Sequence, residues 1–198
     1  MTRGRKPLAP DASRRADLLR AAARLFVAKG FTATTTRDIA KAVGMRSGSP
    51  FYHFRSKQEL LKAAMIGGLE ASYDRVQAAI AAANTEDPER RLSVMLRAHL
   101  GNLLEGECSA PMLLGETRAL DAADRAEIAA AFDRYQQPWQ ATLNELADAG
   151  KLASAAPPVR LLLFGMLNWT PQWYRSDGPL SLDELATASL ALLLGRTR

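Results

Sequence analysis

The chain is poor in the residues that build covalent and metal frameworks. Its 198 residues include one cysteine, Cys108, and two histidines, His53 and His99. A single cysteine excludes an intrachain disulfide framework, and with so few histidines neither a Cys-based zinc site nor a His-rich metal centre is expected. Long apolar runs are also missing. The stretch Leu161-Leu162-Leu163-Phe164, extended through Gly165 to Leu167, falls well short of the roughly 20 residues a membrane span needs. The basic N-terminus has no apolar segment behind it, so no secretory signal is expected and the predicted location is cytoplasmic, away from membranes. The patterns of catalysis are absent as well. There is no nucleophile elbow, no phosphate loop and no pairing of His with carboxylates at ligand spacing. The expectation is therefore no enzyme, no catalytic residue, no metal and no cofactor. No segment alternates apolar and polar residues long enough to read as a strand, and no internal repeat is visible.

What is present is an ordinary globular composition, 47% hydrophobic and 24% charged, with its charge unevenly placed. Residues 1–60 carry 13 Lys+Arg against four Asp+Glu, whereas residues 61–198 carry 13 against 17. The first third thus has a balance of +9 and the rest −4. A basic head on a mildly acidic body suits a polyanion-binding element joined to a part with another task. A solvated basic face on a small helical unit is the plainer alternative.

The periodic segments all read as helix, about nine in number, giving an all-α fold. Leu18, Ala22, Leu25 and Phe26 form one face of a first helix over about residues 11–29, ended by Gly30. Thr35 and Asp38 have capping-box spacing before a short helix over residues 37–43. A third short helix is predicted over residues 47–54. Ser56 and Glu59 repeat the capping box and open a long helix to about Ala83, with Gly67-Gly68 in its interior. That pair suits either a hinge or the close approach of a neighbouring helix. Asp87-Pro88 opens a helix ending near Gly106, and a short one follows around residues 111–118. A longer one spans about residues 121–150 with Pro138 inside as a predicted kink. Pro157-Pro158 opens a helix predicted to run through Trp173 with Pro171 as a kink, and Ser181 with Glu184 caps the last helix, which Gly195 ends.

Helix, Gly44-Met45-Arg46 turn, helix is the spacing of a helix-turn-helix, in which the second helix enters the DNA major groove. Thr35, Thr36 and Arg37 stand where hydroxyls and free amides hold phosphate. Ser47, Gly48 and Ser49 would let the reading helix approach base edges closely, with Tyr52, His53 and Lys57 beyond. Arg3, Arg5 and Lys6 form a basic arm of the kind that reaches a minor groove, or else a solvated tail.

Residues 14–65 resemble the DNA-binding domain of the TetR family of transcriptional regulators. The resemblance rests on Ala22-Ala23-x-Leu25-Phe26-x-x-x-Gly30-Phe31, Thr34-Thr35-Thr36-Arg37-Asp38-Ile39-Ala40, Ala42-Val43-Gly44-Met45 and His53-Phe54-x-Ser56-Lys57-x-x-Leu60-Leu61. It implies a three-helix head over residues 1–58 and a helical ligand-binding and dimerisation domain over residues 59–198. It also implies DNA contact by Thr35, Thr36, Arg37, Arg46, Ser47, Gly48, Ser49, Tyr52, His53 and Lys57, with Lys57 and His53 on phosphate. The chain departs from the family at Phe51, where Tyr is usual, and at Pro50, where an aliphatic residue is usual.

The apolar surroundings of Leu161–Leu167 and Leu190–Leu194 suggest helices buried on more than one side. The resemblance implies a homodimer through them, with Leu163, Leu167, Leu190 and Leu193 at the contact; a deeply buried helix pair within one chain is the alternative. Met95, His99, Met112, Trp139, Asn168 and Trp169 are candidate effector contacts, with Glu116 and Arg118 as further polar groups; ordinary core is the alternative for the apolar ones. The run Asn168-Trp169-x-x-Gln172-Trp173-Tyr174 resembles the C-terminal part of TetR-family repressors that respond to acyl-coenzyme A thioesters. The expected partners are therefore a palindromic DNA operator, a second copy of the chain, and a small apolar or acyl-coenzyme A effector that releases the repressor. The competing reading is a helical small-molecule-binding interaction protein without operator-specific regulation.

Overall fold

A computed structural model describes residues 10–45, 54–104 and 110–196. Among them are seven α-helices: α1 (Pro10–Lys29), α2 (Thr36–Ala42), α3 (Lys57–Ala83), α4 (Pro88–Leu104), α5 (Ala122–Asp148), α6 (Pro157–Trp169) and α7 (Leu182–Leu193). There is no strand among the described residues. Against the expectation of about nine helices, the described residues hold seven α-helices. The segment around residues 111–118 is a 3-10 stretch, Ala110–Ala119, not an α-helix. The predicted helix over residues 47–54 falls largely outside the described residues.

The boundaries follow local chemistry. Gly30 stops α1 at φ +80°, its amide bonded to the Phe26 carbonyl at 2.9 Å. Only a residue without a side chain takes that left-handed turn cheaply. Thr35 and Asp38 form the full capping box of α2. At α3 the Ser56 hydroxyl caps the Glu59 amide, but the Glu59 carboxylate reaches the Arg55 amide at 2.6 Å. Asn84 closes α3 at φ 41°. α5 runs unbroken through Pro138. α6 ends at Trp169, earlier than predicted, and a 3-10 turn, Thr170–Gln172, follows. The cause is Pro171, which has no N–H to offer the carbonyl four residues back. That carbonyl, of Leu167, instead accepts the Thr170 hydroxyl at 2.7 Å.

Two apolar cores lie along α3. The head core gathers Leu18, Phe26, Phe31, Ile39 and Phe54 around Leu60, Leu61 and Met65 of α3. It also takes in Leu120 and Ile128, which belong to the start of α5 and the turn before it. The body core packs Leu69 and Val76 of α3 against α4, α5, α6 and α7. α4 is its axis: Leu92, Met95, Leu96, His99, Leu100 and Leu103 are all buried. No helix among the described residues is long and apolar enough to cross a membrane.

Candidate nucleic-acid interface and effector site

The head presents the edge of α2. Thr35 and Arg37 are exposed and Thr36 half-buried. The amides of Thr36 and Arg37 lie in the first turn, where no carbonyl within the helix stands four residues back to receive them. Thr35 is committed locally. Its hydroxyl accepts the Asp38 amide at 3.1 Å and donates to the Asp38 carboxylate at 2.8 Å. The Thr35 amide and then its hydroxyl, both donating to the carboxylate, hold the Asp38 pKa below the usual carboxylate range. Lys57 is committed too, since its ammonium donates to the carbonyls of Phe31 at 2.8 Å and Thr34 at 2.9 Å. Arg46, Ser47, Gly48, Ser49, Tyr52 and His53 lie outside the described residues, as do Arg3, Arg5 and Lys6.

In the body, several of the residues singled out in the sequence come together. His99 is buried on α4, with Nδ1 2.6 Å from the Tyr135 hydroxyl and Nε2 3.1 Å from Asn168 Oδ1. Asn168 accepts, so His99 carries its proton on Nε2, and Tyr135 then donates to the bare Nδ1. Burial pushes the His99 pKa down to about 4, against a smaller upward effect from Asn168. Burial likewise pushes the Tyr135 hydroxyl up. The rings of His99, Tyr135, Trp139 and Phe164 pack with centroids 5.1–6.4 Å apart. Met95 sits beside them, its sulfur 3.6 Å from the Thr142 hydroxyl. The Trp139 indole N–H is buried without a hydrogen-bond partner.

One expectation is corrected here, that Leu163 and Leu167 stand at the dimer contact. Trp169 is 65% exposed and not part of this cluster. Leu163 and Leu167 are 2% and 0% exposed and turn into the core, so they offer a partner no surface. Leu190 and Leu193 are half-buried against the same core. The outward face of α6 carries Leu161, Leu162 and Trp169 instead, and Trp173 and Leu192 add to the exposed apolar set. The Met112 side chain lies outside the described residues. Glu116 stands against Gly30 of the head, its Oε1 3.4 Å from where a Cβ would sit, and Arg118 is exposed.

Sequence reasoning missed Tyr135, although its spacing of four from Trp139 on a helix places both on one face. It also missed two clefts. One, of about 300 Å³, lies between α3 and α5 over Leu69, Tyr73 and Tyr135, rimmed by Glu70, Asp74 and Arg134. The other, of about 450 Å³, lies between α5 and α6. Ile128, Phe132 and Leu161 give it an apolar wall, with Thr117, Arg125, Asp133, Gln136 and Arg160 as polar groups. Arg160 Nε is buried there with no hydrogen-bond partner, and Arg125 donates to the Leu120 carbonyl.

The head and body geometry agrees with comparison to known proteins. Residues 18–64 match the family described as bacterial regulatory proteins, tetR family, and residues 85–196 match the tetracyclin repressor-like C-terminal domain. The chain belongs to the TetR family. It is a helix-turn-helix transcriptional regulator and not an enzyme. The transcriptional repressor KstR2 of Mycolicibacterium smegmatis is 28% identical over 196 residues, 95% of each chain. Superantigen PfiT is 37% identical in its crystal structure, with a TM-score of 0.75 over 93% of this chain and 98% of PfiT. AibR, crystallised with isovaleryl coenzyme A and operator DNA, is 24% identical, with a TM-score of 0.80 over 91% of this chain and 98% of AibR, and shares the fold.

Proposed function

We propose that this TetR-family chain is a cytoplasmic repressor that binds a palindromic operator as a homodimer and is released by a small apolar or acyl-coenzyme A-type effector. Residues 1–58 act as the reading head and residues 59–198 as the effector-binding and dimerisation body. The observation that carries the DNA reading is the head's charge, 13 Lys+Arg against four acids in residues 1–60, on a segment that matches the family's DNA-binding domain. Thr36, Arg37, Ser47, Gly48 and Ser49 make the contacts, with His53 on phosphate. Thr35 serves chiefly as the cap that holds Thr36 and Arg37 at the edge.

Dimerisation uses the outward face of α6 and α7. Leu161, Leu162, Trp169, Trp173 and Leu192 are each at least half exposed. So much exposed apolar surface marks an interaction site. A dimer places two heads on half-sites about one helical turn apart, ~34–36 Å.

The effector reading is supported by the α5–α6 cleft. A ligand with an apolar arm and an anionic group would lie on Phe132 and Leu161 and pair with Arg125 and Arg160. The buried, unsatisfied Arg160 Nε is the kind of group that a ligand completes. The deciding experiment mixes the protein with a duplex from the region upstream of its own gene, across a salt series. A specific shift that weakens steeply with salt supports the function, and its reversal by isovaleryl coenzyme A supports the effector class. Binding no tighter than to an unrelated duplex would refute operator-specific regulation.

A further inference from the structure

We infer that Lys57 is a positioning residue for DNA recognition: it fastens the α1–α2 corner to the first turn of α3 and so sets the pose of α2. The inference rests on the reading of Thr36 and Arg37 as DNA contacts. Lys57 is the first residue of α3, yet its ammonium reaches back 26 residues to the Phe31 carbonyl and 23 to the Thr34 carbonyl. It also stands 4.1 Å from the centroid of the Phe31 ring, over its face. Two carbonyls and a ring face thus lie against the ammonium. Bonds from a charged donor are stronger than neutral ones, and the ring adds its own attraction for the cation. No carboxylate forms an ion pair with Lys57 among the described residues. The nearby Glu59 carboxylate takes the Arg55 amide instead.

The carbonyls that Lys57 holds belong to the short turn that aims α2. The same turn is held from inside by Thr34, whose hydroxyl bonds the Gly30 carbonyl at 2.8 Å and is fully buried. The next residue, Thr35, caps α2. α2 is seven residues long, too short to be stable by itself, so its direction depends on what anchors its ends. Lys57 is the anchor that comes from the helix leading into the body. A lysine on phosphate acts differently, since it contributes one released counterion to the salt dependence of binding. A positioning lysine changes affinity and leaves that slope alone.

The test uses the full chain with Lys57→Met and Lys57→Arg, and Arg37→Ala as a check on the DNA reading. Hydrogen exchange of the free protein reports residues 35–42, with α4 as internal reference. Operator affinity is measured over a salt series with the upstream duplex. For Lys57→Met we expect exchange in α2 to rise about tenfold while α4 keeps its protection. Operator affinity should fall by about tenfold, the order expected for losing bonds from a charged donor, with the salt slope unchanged. Lys57→Arg should restore part of both. Unchanged α2 exchange in Lys57→Met would overturn the assignment, as would a salt slope lower by about one. If Arg37→Ala binds the duplex as wild type does at every salt concentration, the DNA reading of α2 fails, while the exchange result still decides what Lys57 holds.

Discussion

At the residue scale the body is organised by one neutral histidine. His99 sits in an aromatic cage with both ring nitrogens engaged, and burial lowers its pKa from 6.5 to about 4. The unfolded chain therefore binds a proton between those values that the folded chain refuses. Stability contributed by the neutral ring is complete above about pH 6.5 and is lost as pH falls toward about 4. The loss amounts to about 3 kcal/mol over that window at most. Thermal unfolding followed from pH 7.5 to 4 should show this fall in wild type. In His99→Gln, which supplies an amide donor and acceptor but cannot titrate, the fall should be shallower, from a lower starting stability. Equal slopes in the two proteins would mean that other groups carry the acid sensitivity.

At the element scale, the periodicity of the sequence identified which segments coil but not which way each one faces. Capping residues Thr35, Ser56 and Ser181 are legible because a cap acts within three or four residues of itself. The inward and outward faces of α6 were not legible, because Leu161, Leu162, Leu163 and Leu167 are chemically alike and only packing separates them. The separation makes two substitutions diverge. Leu162→Glu puts a charge on a residue 74% exposed, so the folded protomer should survive while the dimer dissociates. Leu163→Glu buries an unpaired charge in the core and should unfold the body. Sedimentation and circular dichroism distinguish the two outcomes, and a Leu162→Glu protein that sediments as a dimer would remove this face from the interface. α3 offers a third case. A Cβ at Gly67 meets no atom within 4 Å, so close packing of a neighbour does not explain this glycine. Gly67→Ala should raise stability by up to about 1 kcal/mol, seen as a higher melting temperature. A lower melting temperature would mean that the helix needs its looseness there.

At the scale of the whole molecule, the sequence motif marks the head, but it does not reveal how head and body are joined. Local signals cannot report that Leu120 and Ile128, some sixty residues beyond α3's first turn, complete the head's core. Nor can they report that Lys62 of α3 pairs with Asp124 at 2.7 Å and Glu127 at 3.1 Å on α5. The hydrogen bond to Asp124 and then that to Glu127 hold the Lys62 pKa above its usual value. α5 therefore meets the head at one end and carries Tyr135 and Trp139 of the body cluster further along. A displacement of α5 has a packed route to the head besides α3. Ile128→Ala tests the route because Ile128 is 3% exposed and belongs by packing to the head although its chain segment belongs to the body. Removing a buried isoleucine side chain costs about 2–5 kcal/mol. If the seam is one packed unit, hydrogen exchange in Ile128→Ala should accelerate in α1, around Phe26, as well as in the first turns of α5. Loss of protection confined to α5 would mean that the head holds its core without α5, leaving α3 and the Ala110–Ala119 stretch, which also packs on α1, as the mechanical links.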